Sequence, residues 1–180
     1  MDDSKTERGG FVKGEVPLER ARRLAESLQN QLLGIAERVS ITGSVLRRKP
    51  QVGDIDLLIF SHDLARAIQA LEVEGFRGDS RIMRKMVSGI LVEIYIAHRE
   101  NELGALKLYT TGDVTFMRDM REQARAFGLE LTQYGLYVRE SHEVFLESPY
   151  ERDFFEVLGV PWVPPEKRTI EEKGRHAMGD

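Results

Sequence analysis

Two aspartates at the start of a strongly apolar segment constrain the fold more than any other feature of the sequence. In the segment Asp54–Phe60 (DIDLLIF), strand alternation places both aspartates on one face and three large aliphatic residues on the other. The two Cβ atoms then lie about 6.5 to 7 Å apart, so the carboxylates can converge on one hard cation. The segment therefore predicts a strand that begins at an open cleft and continues beneath a covered sheet.

An Asp-x-Asp pair also occurs as the ordinary start of a strand, so the residues before it matter. Gly43-Ser44 precede the aspartates, and a Gly-Ser turn lets backbone N–H groups approach phosphate oxygens closely. Ser44 adds a hydroxyl donor, and Arg47 offers a forked donor that suits a polyphosphate. The alternative is an ordinary turn. Together the two segments predict a metal-assisted site for a nucleotide phosphate.

A third acid, Glu93, interrupts the otherwise apolar segment Gly89–Ala97 (GILVEIYIA). Two-metal phosphoryl chemistry needs a further carboxylate beside the shared pair, and Glu93 is the candidate. A glutamate inside a covered sheet carries a charge that is costly unless a cation or water meets it. The alternative is a glutamate that faces solvent on an edge strand.

Beyond the acids, five ordered segments resemble the family X DNA polymerases of the nucleotidyltransferase superfamily. They span about residues 14 to 168 and comprise Gly14–Ala21, Thr42–Arg48 with Gly53–Ile59, Gly104–Gly112, Tyr134–Tyr137 and Leu158–Glu166. The resemblance implies an α+β fold: a polymerase beta-like palm with a mixed sheet and flanking helices, followed by a small α/β subdomain. It implies a minimal form without the family's lyase domain. The domains expected are a flexible leader (1–13), the palm (14–98), a carboxy-terminal nucleotide-selecting subdomain (99–172) and a tail (173–180).

The resemblance also implies a role for each matching residue. Asp54 and Asp56 would bridge two Mg²⁺ ions, and Glu93 would complete the site that activates a primer 3′-hydroxyl. The nucleotide-binding residues implied are Gly43, Ser44, Arg47, Tyr109, Thr110 and Gly112. Arg118 and Arg121 would contact DNA near the base and the template.

Three positions depart from the family pattern. Glu93 stands where the family has aspartate, and the extra methylene predicts that Mn²⁺ is accepted in place of Mg²⁺. Thr110 follows Tyr109 where an aromatic residue is usual, which predicts weaker discrimination against ribonucleotides. Met117 replaces a polar residue near the incoming base, so base contacts there are not expected to match those of the family.

The predicted function is DNA-directed addition of dNMP to a primer 3′ end, in gap filling during DNA repair or in lesion bypass. The predicted partners are gapped or primer–template DNA and dNTPs, with no membrane. A monomer is expected, and an accessory protein could supply further DNA-binding surface. One alternative is template-independent transfer or transfer to a small acceptor. Another is a catalytically degenerate module that binds DNA or serves as a scaffold.

Composition partly opposes a nucleic-acid partner, since the net charge is −4 and the pI about 5.7. The charge is unevenly spread, because residues 20–49 contain seven basic and only two acidic side chains. A second basic group, Arg77, Arg81, Arg84 and Lys85, is a candidate contact for a phosphate backbone, and the alternative is a solvated charged face. The absence of cysteine excludes disulfides and thiolate metal sites, and no signal or long apolar segment is visible, which predicts an intracellular soluble protein.

Periodicity and turn residues give the expected elements around these motifs. The expected helices cover residues 17–33, 101–108, 114–127 and 150–158. A further helix is expected to follow a cap at Ser61 and to end at Gly75. The expected strands cover 38–42, 54–60, 130–132 and 134–138, with a hairpin of 81–87 and 90–97 turning at Ser88-Gly89. That hairpin is expected to bring Glu93 beside the aspartate pair, and Thr111-Gly112-Asp113 is expected to form a turn.

Overall fold

The computed structural model describes residues 14–168. Its helices are α1 (Leu18–Leu32), α2 (Gly43–Leu46), α3 (Leu64–Val73), α4 (Leu103–Thr111), α5 (Val114–Ala126) and α6 (Glu151–Val157), with 3₁₀ turns at Glu100–Glu102 and Pro165–Lys167. Its strands are β1 (Val16–Pro17), β2 (Arg38–Ile41), β3 (Gln51–Val52), β4 (Asp54–Phe60), β5 (Arg77–Gly78), β6 (Ile82–Val87), β7 (Ile90–Ala97), β8 (Leu129–Leu131), β9 (Leu136–Val138) and β10 (Val144–Leu146). The predicted leader and the predicted tail lie outside the described residues.

A five-stranded mixed sheet organises the first half of the chain. Its strand order is β2-β4-β7-β6-β5. The central strands β4 and β7 run parallel, and every other neighbouring pair is antiparallel. In this register Asp56 lies opposite Glu93. The prediction that the hairpin places Glu93 beside the aspartate pair is therefore met at the level of the backbone.

Side-chain alternation divides the sheet between two hydrophobic clusters. Ile55, Leu57 and Ile59 of β4 are fully buried in the larger cluster, together with the apolar faces of α1 and α3. Leu58 and Phe60, on the aspartate side of β4, pack instead against Ala97 and the start of α4. Because the aspartates stand at the beginning of their face and apolar residues follow, β4 runs from a polar rim into covered interior, as predicted.

The turns and caps around this sheet follow local chemistry. Ser88 and Gly89 both have positive φ (52° and 80°), the signature of the tight two-residue turn that joins β6 to β7. The expected Ser61 cap is wrong. Asp63 caps α3 by accepting a hydrogen bond from Arg66 N at 3.0 Å, and Ser61 Oγ instead accepts one from Asp63 N. Asp63 is the residue immediately before the first helical residue, Leu64, which is the position from which a side chain caps the helix.

The second half of the chain forms a separate sheet and cluster. Strands β8, β9 and β10 form an antiparallel meander, of which β10 (Val144–Leu146) was not predicted. Helices α4, α5 and α6 and this sheet share a hydrophobic cluster that includes Phe154, Phe155 and Leu158. The division of the chain at residues 98 and 99 stays a prediction.

Helix α4 continues further than expected. It extends to Thr111, so Tyr109–Thr111 are helical and the turn comprises only Gly112 and Asp113. Thr110 and Thr111 are buried, and Thr110 Oγ1 donates to the carbonyl of Leu106 at 2.8 Å. Their burial and the hydrogen bond of Thr110 therefore outweigh the low helix propensity of two adjacent threonines. Within residues 14–168 no helix is both long and apolar enough to cross a membrane.

Candidate active site

The Gly43 turn and the Asp56 carboxylate lie in direct contact. Gly43 has φ +63°, a conformation that costs other residues free energy, and a Cβ placed on it would lie 1.9 Å from Asp56 Oδ2. Thr42 fixes the approach, because its N–H donates to the carbonyl of Asp56 at 2.9 Å. Only glycine fits between this backbone and this carboxylate, so the two predicted motifs form a single site.

Buried polar atoms without a hydrogen-bond partner gather beside this turn. Within residues 14–168 they are Ser44 Oγ, Arg47 Nε, Thr111 Oγ1 and Asp113 Oδ2. Arg47 Nη1 donates to the carbonyl of Thr111 at 2.7 Å, which joins α2 to the end of α4. Buried donors and acceptors without partners are costly in a folded protein, and their clustering marks a place where a ligand would supply the missing bonds.

Arg47 carries the positive charge of this cluster. Burial lowers the pKa of its guanidinium, Asp113, Asp56 and Asp54 oppose that shift, and Arg168 adds to it. An arginine stays protonated at neutral pH even with a lowered pKa. The site therefore holds a poorly hydrated cation next to an unsatisfied hydroxyl, which is the chemistry of an anion-binding pocket.

Glu93 lies inside the protein on a central strand. It is 5% exposed, so the alternative of a solvent-facing glutamate on an edge strand is wrong. Its Oε1 accepts a hydrogen bond from Arg84 Nε at 2.6 Å. Arg84 lies opposite Glu93 on β6, whereas Asp56 lies opposite it on β4. Glu93 thus stands between an acidic and a basic neighbour and is bonded to the basic one.

Asp54, Asp56 and Glu93 are not arranged as a complete metal-binding site. Nowhere in the described range are three or more histidine, aspartate or glutamate side chains arranged to hold a metal ion. The Glu93 carboxylate is instead bonded to Arg84, on the strand that lies on the side away from β4. The donor set still fits a hard divalent cation: all three ligands would be carboxylate oxygens, and Asp56 and Glu93 are nearest neighbours across parallel strands.

Tyr95, which the sequence analysis did not single out, belongs to the same site. Burial raises the pKa of its hydroxyl, and the negative charges of Asp56, Glu93 and Asp54 raise it further. Tyr95 follows Glu93 by two residues, so strand alternation places it on the acidic face. That spacing is the signal that could have identified it. The hydroxyl stays protonated and is available as a hydrogen-bond donor next to the acids.

The residues predicted to select the nucleotide lie at the junction of α4 and α5. Tyr109 is half-buried, and the guanidinium carbon of Arg121 lies 5.8 Å from its ring centroid. The structure thus brings together one predicted nucleotide contact and one predicted template contact. Gly112 is packed against Phe116 and Met117, where a Cβ would approach within 2.8 Å of each. Met117 is buried beneath this turn and faces the core instead of the open site.

The other predicted basic contacts divide into exposed and occupied side chains. Arg118 is exposed and lies 3.5 Å from Asp119, so its guanidinium is accessible on the surface of α5. The four basic residues of the hairpin all have partners within the fold. Arg77 donates to backbone carbonyls, Arg81 and Arg84 bond to Glu102 and Glu93, and Lys85 donates to the carbonyl of Glu74. Their assignment to a phosphate-backbone contact is not supported.

A buried ion pair supports the nucleotide side of the site. Arg168 has no exposed surface, donates to Glu151 through both Nη atoms and to the carbonyl of Val163 through Nε at 2.8 Å. Its guanidinium also lies 5.3 Å from the Phe116 ring and 5.1 Å from the Phe155 ring. The pair ties the last described residue to α6 and α5. An arginine in a polar terminal segment gives no sequence signal for such burial.

Comparison with known proteins identifies the relationship. The DNA polymerase beta thumb family matches residues 106–169. DNA polymerase lambda of Rattus norvegicus is 28% identical over an alignment of 158 positions that covers 70% of this chain. Repair DNA polymerase X of African swine fever virus is 24% identical over an alignment of 159 positions that covers 81% of this chain. The chain is a relative of the family X DNA polymerases. The predicted relationship is therefore confirmed.

The solved structures agree on the fold. Polymerase beta of Leishmania infantum, described as a ternary P/T complex, superposes with a TM-score of 0.70 at 20% identity, covering 87% of this chain and 77% of that one. This likeness confirms the predicted α+β, polymerase beta-like fold. The chain spans only between 12% and 28% of the length of three cellular relatives, but 90% of the viral family X polymerase.

Proposed function

We propose that this chain is the nucleotidyl-transfer unit of a family X DNA polymerase, which adds dNMP from dNTP to a primer 3′-hydroxyl. One observation carries the proposal. The strand bearing Asp54 and Asp56 meets a buried, unsatisfied anion pocket at Gly43, Ser44 and Arg47. Nucleotidyl transfer needs carboxylates that hold a divalent cation and hydrogen-bond donors that hold a phosphate chain. Here the two groups are in direct contact.

The anion pocket holds the triphosphate in this proposal. Ser44 Oγ and Arg47 Nε acquire the hydrogen-bond partners that they lack, and the Gly43 turn presents its backbone to the phosphate oxygens. Arg47 also carries the charge that attracts a polyanion. Arg48, the next residue, is exposed and paired with Glu166 at 3.3 Å, and it takes no part.

Asp54, Asp56 and Glu93 hold two Mg²⁺ ions in this proposal, and Mn²⁺ is accepted in their place. Bound there, the ions would lower the pKa of the primer hydroxyl and neutralise charge on the triphosphate. Tyr95 donates a hydrogen bond beside the acids, because its hydroxyl keeps its proton. The 3′-oxygen then bonds to the α-phosphorus as pyrophosphate leaves.

The junction of α4 and α5 selects the nucleotide and meets the DNA. Tyr109 and Gly112 lie against the sugar and the nascent base pair, with the small side chain of Thr110 turned back into its helix. Arg121, stacked near Tyr109, reaches the template side, and Arg118 contacts the DNA from the exposed face of α5. Because the relatives act on DNA by name, gapped or primer–template DNA is the proposed partner.

Nucleotide binding tests the pocket separately from the chemistry. We expect Arg47→Gln to weaken binding of a Mg²⁺–dNTP about tenfold or more, because a charge-assisted contact to phosphate is lost. Arg48→Gln removes the same charge from the neighbouring, exposed position and should leave binding within about twofold. Equal losses in the two variants, measured by calorimetry with a non-hydrolysable dNTP, would exclude Arg47 as a specific phosphate contact.

The acceptor is tested on three substrates: a one-nucleotide gapped duplex, an open primer–template and single-stranded primer. The proposal predicts insertion of the templated nucleotide into the gap, with weaker extension of the open primer. Untemplated addition to single strands would instead identify a terminal transferase. Mg²⁺–dNTP binding without any addition would favour the non-catalytic module.

A further inference from the structure

The ion pair between Arg84 and Glu93 lies on the β6 side of Glu93, opposite the side on which Asp56 lies. Glu93 is 5% exposed, and Arg84 Nε donates to its Oε1 at 2.6 Å. The Arg84 side chain is itself only 28% exposed. A short, shielded, charge-assisted contact of this kind is much stronger than a surface ion pair.

The topology gives Glu93 two competing neighbours. Strand β7 lies between β4 and β6, so Glu93 has Asp56 opposite it on one side and Arg84 on the other. Across β4 the neighbour is a like charge, which repels the Glu93 carboxylate. Across β6 the neighbour is the opposite charge, which attracts it.

A buried carboxylate next to a second carboxylate requires a nearby positive charge. Arg84 meets that requirement from within the fold. A divalent cation shared by Asp56 and Glu93 would meet the same requirement from outside. The two sources of charge draw on one carboxylate, whose Oε1 is already bonded to Arg84 on the β6 side.

We propose that Arg84 is a positioning residue that acts as the built-in counter-cation of Glu93 and releases it when a divalent cation binds at the aspartate pair. This inference rests on the proposed function for the identity of the metal ligands. Arg84 thereby keeps the three acids together in the metal-free protein and lowers the affinity of the site for the cation. Binding is selective for a cation whose charge density exceeds that of a guanidinium.

The first test is Mn²⁺ binding, followed by electron paramagnetic resonance of the free ion without substrate. Arg84→Gln keeps an amide donor but removes the charge, and we expect it to tighten Mn²⁺ binding about tenfold. The matched control is Arg77→Gln. Arg77 lies opposite Arg84 on β5 and carries the same charge, but it is exposed and bonds to the carbonyls of Glu72 and Phe76. This control should change the affinity by less than about threefold.

Two further variants show whether the effect passes through Glu93. Arg84→Lys retains the charge and should bind Mn²⁺ nearly as the native protein does. In a Glu93→Gln background, Arg84→Gln should no longer tighten binding. An unchanged Mn²⁺ affinity in Arg84→Gln, or a gain that persists without the Glu93 carboxylate, would overturn the inference.

The native protein offers a second test that does not depend on the folding of a variant. In ¹⁵N NMR spectra the Arg84 Nε–H resonance should move as Mg²⁺ saturates the site, while that of Arg77 stays in place. A resonance that does not move at saturating Mg²⁺ would contradict the release of Glu93. The proposed function can fail while this inference stands. That would be the result if the chain adds no nucleotide but shows these Mn²⁺ and Mg²⁺ effects. Failure to bind either ion would reject both.

Discussion

Replacement of Arg168 by methionine should destabilise the second half of the chain more than any surface change. The substitution keeps most of the side-chain volume but removes two bonds to Glu151 and one to the Val163 carbonyl. Glu151 is 9% exposed and would be left as a buried charge without this partner. Breaking a buried pair from one side typically costs about 3 to 5 kcal/mol of unfolding free energy. For a chain of this size that corresponds to a fall in Tm of about 6 to 20 °C.

The matched control is Arg152→Met. Arg152 lies one residue after Glu151, and its guanidinium carbon is 4.4 Å from the centroid of the Trp162 ring, but the residue is exposed. Loss of an exposed cation–π contact should cost only about 0.5 to 1 kcal/mol. The comparison therefore separates burial of a charge from mere removal of an arginine beside the same aromatic ring.

Urea unfolding measures both effects, because Trp162 is the only tryptophan and lies 5.9 Å from the Arg168 guanidinium carbon. Its fluorescence reports this part of the fold, and circular dichroism reports the whole. The double variant Arg168→Met/Glu151→Met should regain much of the lost stability, since neither charge is then stranded. The reasoning is refuted if Arg168→Met is no worse than Arg152→Met, or if the double variant is as unstable as the single one.

Three further substitutions probe the rest of the account. Gly43→Ala should lower the transfer rate about 100-fold, because the new Cβ would collide with Asp56 Oδ2 and shift that carboxylate. A transfer rate within about threefold of the native rate would contradict this contact. Burial raises the pKa of Glu102, but the hydrogen bonds that Glu102 accepts from Arg81 and other donors outweigh burial. The pKa is therefore lowered overall. The stabilisation by Glu102 is thus present above its unfolded pKa of about 4.3 and lost as the pH falls through the lowered value. The difference in unfolding free energy between the native protein and Glu102→Gln should therefore shrink as the pH falls below that pKa. A difference in urea midpoints that does not change with pH would refute this prediction. Glu93→Asp should reduce the ratio of extension rates in Mn²⁺ and Mg²⁺; an unchanged ratio would end the hypothesis that the longer acid favours Mn²⁺.

The sheet and its acidic edge were predictable because short-range chemistry determines them. Alternation in Asp54–Phe60 and the Ser88-Gly89 turn are local signals, and the structure preserves both. The same turn also determines which residues of β6 and β7 lie opposite each other. A two-residue turn pairs the residues symmetrically about it, which sets Arg84 opposite Glu93.

The remaining features depend on tertiary packing, which a single sequence does not reveal. Thr110 and Thr111 extend α4 and are buried, and nothing local to them predicts a helix. Arg168 lies in a charged terminal stretch that reads as solvent-exposed, yet it is the largest fully buried side chain of residues 14–168. The functions of the predicted site residues stay predictions until they are measured.

Single-turnover insertion of one dNMP into a one-nucleotide gap tests the central claim most directly. Asp56→Asn preserves the size of the side chain next to Gly43 but removes the charge that would hold a cation, and Asp79→Asn is the control at an exposed turn. The account predicts templated insertion by the native chain and by the control, with a loss of about 1,000-fold or more in Asp56→Asn. Insertion by Asp56→Asn at the native rate would contradict a carboxylate-dependent nucleotidyl transfer at this site.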